Sequence, residues 1–191
     1  GGYITTINIT ATVQNTRWKA FIGQATGTFT LDDSTGASIY DWNIATVAGE
    51  VYATRNSSTL SWTNITCANT TLLEKENGLM NHTNTDDNIT RTFNDTTHAQ
   101  FYVGSVSIVL NTCPTLNTYI NNATQNTRFE EIVLSDSTNF TIGGNLIFST
   151  ILEQNRIGYN NKSYDFQMIV PENGLPTWTG ATAYYLYVEL T

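Results

Sequence analysis

The residues best suited to chemistry in this 191-residue sequence are two cysteines, two histidines and several neighbouring carboxylates. Cys67 and Cys113 are the only cysteines, and their spacing matches neither a zinc motif nor a redox motif. An oxidising compartment typically leaves such a pair bonded, so we predict a disulfide between them. Two buried free thiols are the alternative.

The two histidines do not indicate a metal site or a catalytic base. His82 and His98 lie in no metal-ligand spacing and near no cysteine pair, so we expect both to be surface-loop residues. The sequence also contains no nucleophile elbow and no glycine-rich phosphate loop. It therefore predicts no metal, no cofactor and no catalytic residue.

Neighbouring carboxylates could form a glycosidase site, because a glycosidase needs only two of them facing each other across a sugar. The candidates are Glu74 with Glu76, Glu130 with Glu131, Asp86 with Asp87, and Glu153. Adjacent side chains on a regular strand point to opposite faces, so Glu130 and Glu131 cannot both enter one cleft. We expect all of these groups at the solvated surface, which makes a glycan-active hydrolase the least favoured function.

Asn-X-Ser/Thr sequons are the most frequent motif in the chain. A chain with this Asn, Ser and Thr content would carry roughly five by chance. The sequence has ten, at Asn8, Asn56, Asn64, Asn69, Asn81, Asn88, Asn94, Asn122, Asn139 and Asn161. We therefore predict a secreted protein with covalent N-glycans, five of them coating a patch between residues 64 and 94. Sequons that mostly stay unused are the alternative.

Composition excludes several classes of partner. The formal net charge is -8 and no basic cluster is present, which argues against nucleic acid. No apolar run is long enough to span a bilayer. Charged residues make up only 13% of the chain, about half the usual share. Glycans would supply the solubility that surface charge usually gives, so the low charge fits the sequons.

The elements that would position these residues are mostly strands. Thr, Asn and Ser supply the polarity, and short turn-punctuated runs predict a mainly β protein: a two-sheet antiparallel β-sandwich, immunoglobulin-like or jelly-roll-like. One short helix is predicted over 69–80, capped by Asn69 or Thr70. Residues 81–97 read as a polar loop, and 101–110 as a strand inside the sandwich.

Aromatic residues could either fill the core of such a sandwich or form a sugar-stacking platform. We expect Trp18 and Trp42 in the core. Trp178 lies in a Pro/Gly/Thr loop, where we expect it to be exposed.

The N-terminus predicts an extended strand. Residues 3–13 alternate, and the mostly apolar face consists of Tyr3, Ile7, Ile9, Ala11 and Val13 together with a threonine. We divide the chain into this N-terminal strand, 1–16, and a sandwich domain, 17–191. The chain opens on two glycines without a Met, as a cleaved precursor would. A terminal strand is the easiest element to donate, so we expect those five residues to form a subunit interface. Pairing within the chain's own sandwich is the alternative.

Scattered motifs support that expectation through a resemblance. Residues 17–23 (RWKAFIG), 101–104 (FYVG) with Cys113-Pro114, and 165–174 (DFQMIVPENG) precede a Tyr-rich end. The chain resembles Asn/Thr-rich archaeal surface proteins and the glycosylated subunits of extracellular pilus-like fibrils. The resemblance is one of style over most of the chain, and it transfers no catalytic residue.

The resemblance implies an extracellular, cell-surface location, dense N-glycans and polymerisation. We therefore expect a non-enzymatic structural subunit whose partners are copies of itself in a helical filament. A cell-surface adhesin or carbohydrate-binding module, using exposed aromatic residues such as Trp178, is the alternative.

Overall fold

The structure is a computed structural model, and it describes most of the chain. The described residues are 2–4, 7–15, 17–25, 28–32, 34–35, 37–43, 47–57, 59–116, 119–120, 123–124, 129–137 and 145–191. Strands dominate, which confirms the predicted mainly β class. The strands, in chain order, are β1 (Gly2–Ile4), β2 (Ile7–Asn15), β3 (Trp18–Ala25), β4 (Thr28–Asp32), β5 (Ser38–Asn43), β6 (Gly49–Thr54), β7 (Thr66–Cys67), β8 (Phe101–Val103), β9 (Val106–Ile108), β10 (Thr115–Leu116), β11 (Tyr119–Ile120), β12 (Ala123–Thr124), β13 (Glu131–Ser135), β14 (Leu146–Ile151), β15 (Arg156–Ile157), β16 (Ser163–Tyr164), β17 (Phe166–Pro171) and β18 (Tyr185–Leu190).

The largest sheet, called here the central sheet, has the antiparallel order β10-β13-β14-β6-β18, with β7 also paired to β13. Its middle strands β6, β13 and β14 are buried almost throughout. Alternate side chains enter two different clusters: Val51, Val133 and Phe148 belong to one, whereas Tyr52 and Ile132 belong to the other. The central sheet is therefore covered on both faces, called here the inner face (Val51 side) and the outer face (Tyr52 side).

The inner face packs against a second sheet of order β17-β3-β2. Trp18 and Phe21 from β3 and Phe166, Met168 and Val170 from β17 fill the space between the two sheets. This arrangement is the two-sheet sandwich that the sequence predicts. A separate three-stranded sheet has the order β1-β4-β5.

Two helices close the same core. Helix α1 (Thr70–Leu79) begins at Asn69, whose Oδ1 accepts a hydrogen bond from Leu72 N at 3.0 Å, and this confirms the predicted helix and cap. Within the helix, Leu73 is buried, whereas Leu79 is exposed. A second helix, α2 (Ile89–Thr92), was not predicted.

Helix α2 corrects the interpretation of residues 81–97 as a polar loop. Ile89 and Phe93 are almost completely buried in the inner-face cluster, although the segment around them is polar. Asn77 of α1 accepts a hydrogen bond from Ile89 N at 2.7 Å and so holds the two helices together. Two apolar residues in a polar stretch are too few to give a helical period, which is why the pattern concealed the element.

The single interior strand predicted over 101–110 is also wrong. The segment is a hairpin of β8 and β9 that turns at Gly104, and Tyr102, Val109 and Leu110 are exposed. Gly104 has φ +57°, in the left-handed region that favours glycine. The apolar run was read as one strand because the turn interrupts it with only two small residues.

The disulfide prediction is confirmed: Cys67 and Cys113 are bonded, with 46 residues of sequence separation. Cys67 lies in β7, which pairs with β13 at Leu134. Cys113 lies two residues before the first residue of β10, which pairs with β13 at Ile132. β7 and β10 therefore lie end to end along the same edge of β13. The bond joins these two short strands to each other.

The N-terminal segment is divided into two strands and is not one continuous strand. β1 pairs with β4, and β2 pairs with β3 of the same chain, from Ile7 opposite Ala25 to Asn15 opposite Trp18. The structure of the single chain thus has the arrangement that was the alternative to donation. Of the five residues expected at a subunit interface, Tyr3 is in β1 and Ile7, Ile9, Ala11 and Val13 are in β2. Ile9 is exposed, and the side chains of the other four lie outside the described part.

Candidate functional site

The most chemically distinctive site lies where β6 and β18 pair. Their sequences are Glu-Val-Tyr over 50–52 and Tyr-Val-Glu over 187–189, and antiparallel pairing places like residues opposite each other. Glu50 is opposite Glu189, and Tyr52 is opposite Tyr187. Because residues two apart share a face, both carboxyl groups and both phenol rings lie on the outer face of the central sheet.

Trp62 completes a pocket over these residues. It begins the 3-10 turn Trp62–Asn64, and its ring centroid lies 5.3 Å from that of Tyr52 and 5.2 Å from that of Tyr187. The pocket, called here the aromatic pocket, encloses about 270 Å³ and is lined by Tyr52, Trp62, Tyr187, Val188 and Glu189. Tyr52 is buried, whereas Trp62 and Tyr187 are partly exposed. The two partly exposed rings are the surfaces that a ligand can reach.

Glu189 is the polar group of the pocket, and two donors hold it in place. The hydroxyl of Tyr52 donates to its Oε2 at 3.0 Å, and Gly104 N donates to its two carboxylate oxygens at 3.0 and 3.1 Å. The turn of the β8–β9 hairpin is thereby fixed to β18. A carboxylate accepts about four hydrogen bonds, so Glu189 can still accept hydrogen bonds from a ligand.

Glu50 is the second carboxyl group of the pair, and it is only 6% exposed. Burial, together with the nearby charge of Glu189, raises the pKa of Glu50 to about 7, although the hydroxyl of Tyr52 partly offsets this. Its Oε2 has no partner within the described part of the chain. The same surroundings raise the pKa of the Tyr52 phenol, which stays protonated.

Only one carboxyl group of the pair lines the aromatic pocket. A glycosidase requires two carboxyl groups that both face the sugar, but Glu50 is not among the residues that line the aromatic pocket. A ligand would meet one carboxylate, two aromatic surfaces and the backbone of β18. Within the described residues, no group of three or more His, Cys, Asp or Glu side chains could hold a metal ion.

The carboxylates singled out from the sequence are divided among different places. Glu130 accepts a hydrogen bond from Ala99 N, whereas Glu131 accepts one from Ile169 N of β17 at 2.9 Å, so the two side chains do point to opposite faces. The expectation of a solvated surface is wrong for Glu131 and for Glu76, both 1% exposed. Glu76 forms a two-point ion pair with Arg55, with N–O distances of 2.7 and 2.8 Å.

Both histidines are buried, so their assignment to surface loops is also wrong. His98 Nε2 accepts hydrogen bonds from Thr112 N and Cys113 N at 3.0 Å each, while Nδ1 lies 2.7 Å from Ala99 O. His98 therefore carries its proton on Nδ1 and supports the disulfide segment. His82 Nε2 contacts Glu172 O at 2.7 Å, and its ring packs edge-on against Trp18. Each ring satisfies backbone groups that would otherwise be buried alone, a role that sequence spacing does not report.

The tryptophan predictions are confirmed where they can be compared. Trp18 is buried in the inner-face core, and Trp178 is 43% exposed in the loop before β18. The side chain of Trp42, in β5, lies outside the described part. The Trp178 ring lies over Gly180, where an added Cβ would approach it to 2.9 Å, so one face of the ring is already covered by its own loop.

The sequons differ in exposure. Asn64, Asn69, Asn94 and Asn161 are exposed, whereas Asn81 and Asn88 are half-buried. Asn56 is only 9% exposed, which is unfavourable for a glycan in the folded chain. Asn122 and Asn139 lie outside the described residues, and so does the side chain of Asn8, whose backbone belongs to β2.

Two sequon asparagines also cap helices. Asn69 caps α1, and Asn88 caps α2 by accepting a hydrogen bond from Arg91 N at 2.8 Å. In both cases the accepting atom is Oδ1, and a glycan is attached to Nδ2, so capping and glycosylation are chemically compatible. Asn81 differs, because its Nδ2 donates to Asn173 Oδ1 at 3.2 Å.

Sequence reasoning missed Glu50, Tyr52, Tyr187 and Glu189. The signal was present as two mirrored tripeptides, Glu-Val-Tyr and Tyr-Val-Glu. Tyr52 and Glu189 are 137 residues apart in the sequence. Only the pairing of β6 with β18 shows that the two tripeptides are neighbours.

Comparison with known proteins adds no further constraint. No family model matches the chain, and no curated protein or solved structure is similar to it. Within the described residues, no helix is sufficiently long and apolar to cross a membrane.

Proposed function

We propose that the protein is a structural subunit of an extracellular, N-glycosylated filament, in which each subunit exchanges its N-terminal strand with the next. The observation that carries the proposal is the position of β2. Among the described strands it lies at the edge of the second sheet, and β3 is the one described element that it contacts extensively. Strand exchange of this kind requires an edge strand. Because β1 precedes β2 and pairs with β4, the exchange would move the β1–β4 pairs to the next copy as well.

Exchange would replace each lost pair between β2 and β3 by an identical pair. If β2 of one copy replaced β2 of the next, every β2–β3 pair would form again between chains in the same register. The cost would be concentrated in the connection between β2 and β3, which would have to extend toward the next copy. Each copy would donate one strand and receive one, so the contact would be heterologous and would extend into a fibre.

The extracellular part of the proposal rests on chemistry. A disulfide is typical of an oxidising compartment, and the Cys67–Cys113 bond closes a long loop. Four exposed sequons are available for N-glycans, and a sugar coat would compensate for the low share of charged residues. An adhesin or carbohydrate-binding module is the second candidate, and the aromatic pocket favours it.

Cysteine pairing across β2 and β3 tests the exchange. Asn8 lies opposite Gln24, so Asn8→Cys and Gln24→Cys in separate chains can bond only when one chain's β2 pairs with another chain's β3. We expect mixed fibres to give covalent Asn8→Cys–Gln24→Cys dimers on a non-reducing gel. Because Asn8→Cys also removes a sequon, Thr10→Ala is the matched control for glycan loss.

Deletion of residues 1–13 provides the complementary measurement. The truncated chain should remain monomeric and bind the synthetic 1–13 peptide, since its β3 edge is vacant. Fibres of the truncated chain in electron micrographs, or mixed fibres without the covalent dimer, would show that a different contact holds the assembly.

A further inference from the structure

We propose that the aromatic pocket is a carbohydrate-binding site that accepts one neutral sugar ring against Trp62 and Tyr187, with Glu189 as the acceptor for its hydroxyl groups. This inference does not depend on filament formation. It also places sugar recognition away from the Trp178 loop that the sequence had suggested.

The aromatic part of the site fits the apolar face of a sugar. Trp62 and Tyr187 keep part of their surface exposed, while Tyr52 beneath them is buried and holds them through ring contacts. Each ring is thus fixed before a ligand arrives, which lowers the entropy cost of binding. The volume of about 270 Å³ has room for a single ring-sized ligand.

The polar part fits the hydroxyl groups of that ring. Glu189 is kept in one orientation by Tyr52 and Gly104 and retains free acceptor positions. β18 pairs on one side with β6, and it is the last strand of the central sheet among the described strands. No described strand pairs with its other side, where backbone groups could donate to and accept from sugar hydroxyls.

The buried neighbour of Glu189 favours a neutral ligand over a cation. Glu50 is 6% exposed beside Glu189, and its surroundings favour its neutral form. The hydroxyl of Tyr52, which interacts with both carboxyl groups, uses its one hydrogen on Glu189. The raised pKa of Glu50 reduces the negative charge beside the pocket near neutral pH, which weakens the attraction for an ammonium group. The rings also pack against each other at 5.2 and 5.3 Å and do not form an open cage.

The test uses the full chain, produced without glycans and labelled with 5-fluorotryptophan. The chain has four tryptophans, and Trp62→Phe and Trp178→Phe assign the two relevant fluorine resonances. The probes are a panel of methyl hexosides and N-acetylhexosamines, with tetramethylammonium as the cationic comparison. We expect a sugar of the panel to shift the Trp62 resonance and leave the Trp178 resonance in place.

Glu189→Gln supplies a conservative variant, since its amide oxygen can still accept from Gly104 N and the side-chain volume is kept. Loss of the charged acceptor should weaken sugar binding by about tenfold or more, while the unfolding midpoint stays close to that of the parent chain. Trp178→Phe is the matched control, and it should bind the sugar as tightly as the parent chain.

The source of the sugar is distinguished by a second arm, in which unlabelled native glycoprotein replaces the free sugars. A Trp62 shift that disappears after deglycosylation identifies the glycans of the chain itself as the ligand, whereas a shift with free sugars alone identifies an external carbohydrate. No Trp62 shift with any sugar, a shift at Trp178 instead, or a response only to tetramethylammonium would overturn the proposal.

Discussion

The two faces of the central sheet are built from alternate residues of the same strands, yet they are covered in different ways. A second regular sheet and two helices cover the inner face, with Phe148 and Phe166 at its centre. The outer face is covered by the β8–β9 hairpin and by segments with little regular structure around Leu60 and Cys113. A sheet brings its own backbone hydrogen bonds to a packing contact, whereas irregular chain must be fixed at individual points.

Those individual points are visible on the outer face. The Cys67–Cys113 disulfide, the His98 ring and Glu189 each fix one segment to its neighbours. The inner face encloses two carboxyl groups that hydrogen-bond to specific donors. Glu76 and Glu131 are buried there and rely on specific partners. The inner face should therefore be sensitive to loss of a charge partner, and the outer face to loss of a covalent or backbone attachment.

The largest effect is expected at the Arg55–Glu76 ion pair. Glu76→Gln would leave the Arg55 guanidinium, whose side chain is 14% exposed, without a negative partner. Breaking a buried pair in this way costs about 3 to 5 kcal/mol of unfolding free energy. Urea unfolding measures this cost. Glu74→Gln, an exposed change two residues away in α1, should have almost no effect, and equal losses for both variants would contradict the assignment.

Removal of the disulfide should be next in size and should act on the outer face. The double variant Cys67→Ala, Cys113→Ala opens a loop of 46 residues, for which chain entropy predicts a loss of about 4 kcal/mol. Hydrogen exchange should locate the loss in β7, β8, β9 and β10, with β3 and β17 protected nearly as before. Uniform loss of protection in both sheets would show that the two faces unfold as one unit.

The inner and outer faces also differ in how well the sequence predicts them. Regular elements of the inner face were predictable, because Trp18, the capped helix at Asn69 and the strand runs carry local periodic signals. The outer face was not, since its hairpin resembles one strand and Glu50 meets Glu189 only through long-range pairing. Burial of His82 and His98 was missed for a related reason. His82 contacts the carbonyl of Glu172, 90 residues away, and His98 accepts from Thr112 N and Cys113 N, so the sequence next to each histidine does not reveal these partners.

A smaller effect, with a definite sign, should appear in the pH dependence of stability. Glu50 has a folded pKa of about 7 against an ordinary value of 4.5, so the folded chain holds a proton that the unfolded chain has lost. Its stabilising contribution is complete below about pH 4.5 and is lost as the pH rises through about 7. Glu131, whose pKa is also raised by burial, acts in the same direction, whereas Glu172 has a lowered pKa and acts in the opposite one.

Urea unfolding between pH 5 and pH 8 measures this slope. Burial, Glu189 of β18 and Tyr52 of β6 set the raised pKa of Glu50. Glu50→Gln should therefore reduce the loss of unfolding free energy between pH 5 and pH 8 by about 1 to 2 kcal/mol, a value that allows for solvent screening. Glu131→Gln should flatten it further on the inner face. Parallel curves for the parent chain and Glu50→Gln would mean that Glu50 is already ionised at pH 5.

The smallest effect is expected for glycine-to-alanine substitutions. The change in stability should have opposite signs at a site on the outer face and at a site in α1. Gly104 and Gly78 both have open space where a Cβ would be added, so steric contact contributes to neither Gly104→Ala nor Gly78→Ala. Gly104 forms the outer-face hairpin turn with φ +57°, and an alanine held there costs about 1 to 2 kcal/mol. Gly78 is an exposed residue of α1, one of the helices that cover the inner face, and alanine there should stabilise by about 0.5 to 1 kcal/mol through its higher helix propensity. The two unfolding midpoints should therefore move in opposite directions from that of the parent chain.

Gly104→Asn separates two causes of the expected loss. Asparagine tolerates the left-handed region, so this variant should recover much of the stability if the backbone angle is the cause. A loss as large with asparagine as with alanine would instead place the cost in the hydrogen bond from Gly104 N to Glu189, and the outer face would then depend on that polar attachment more than on the shape of its turn.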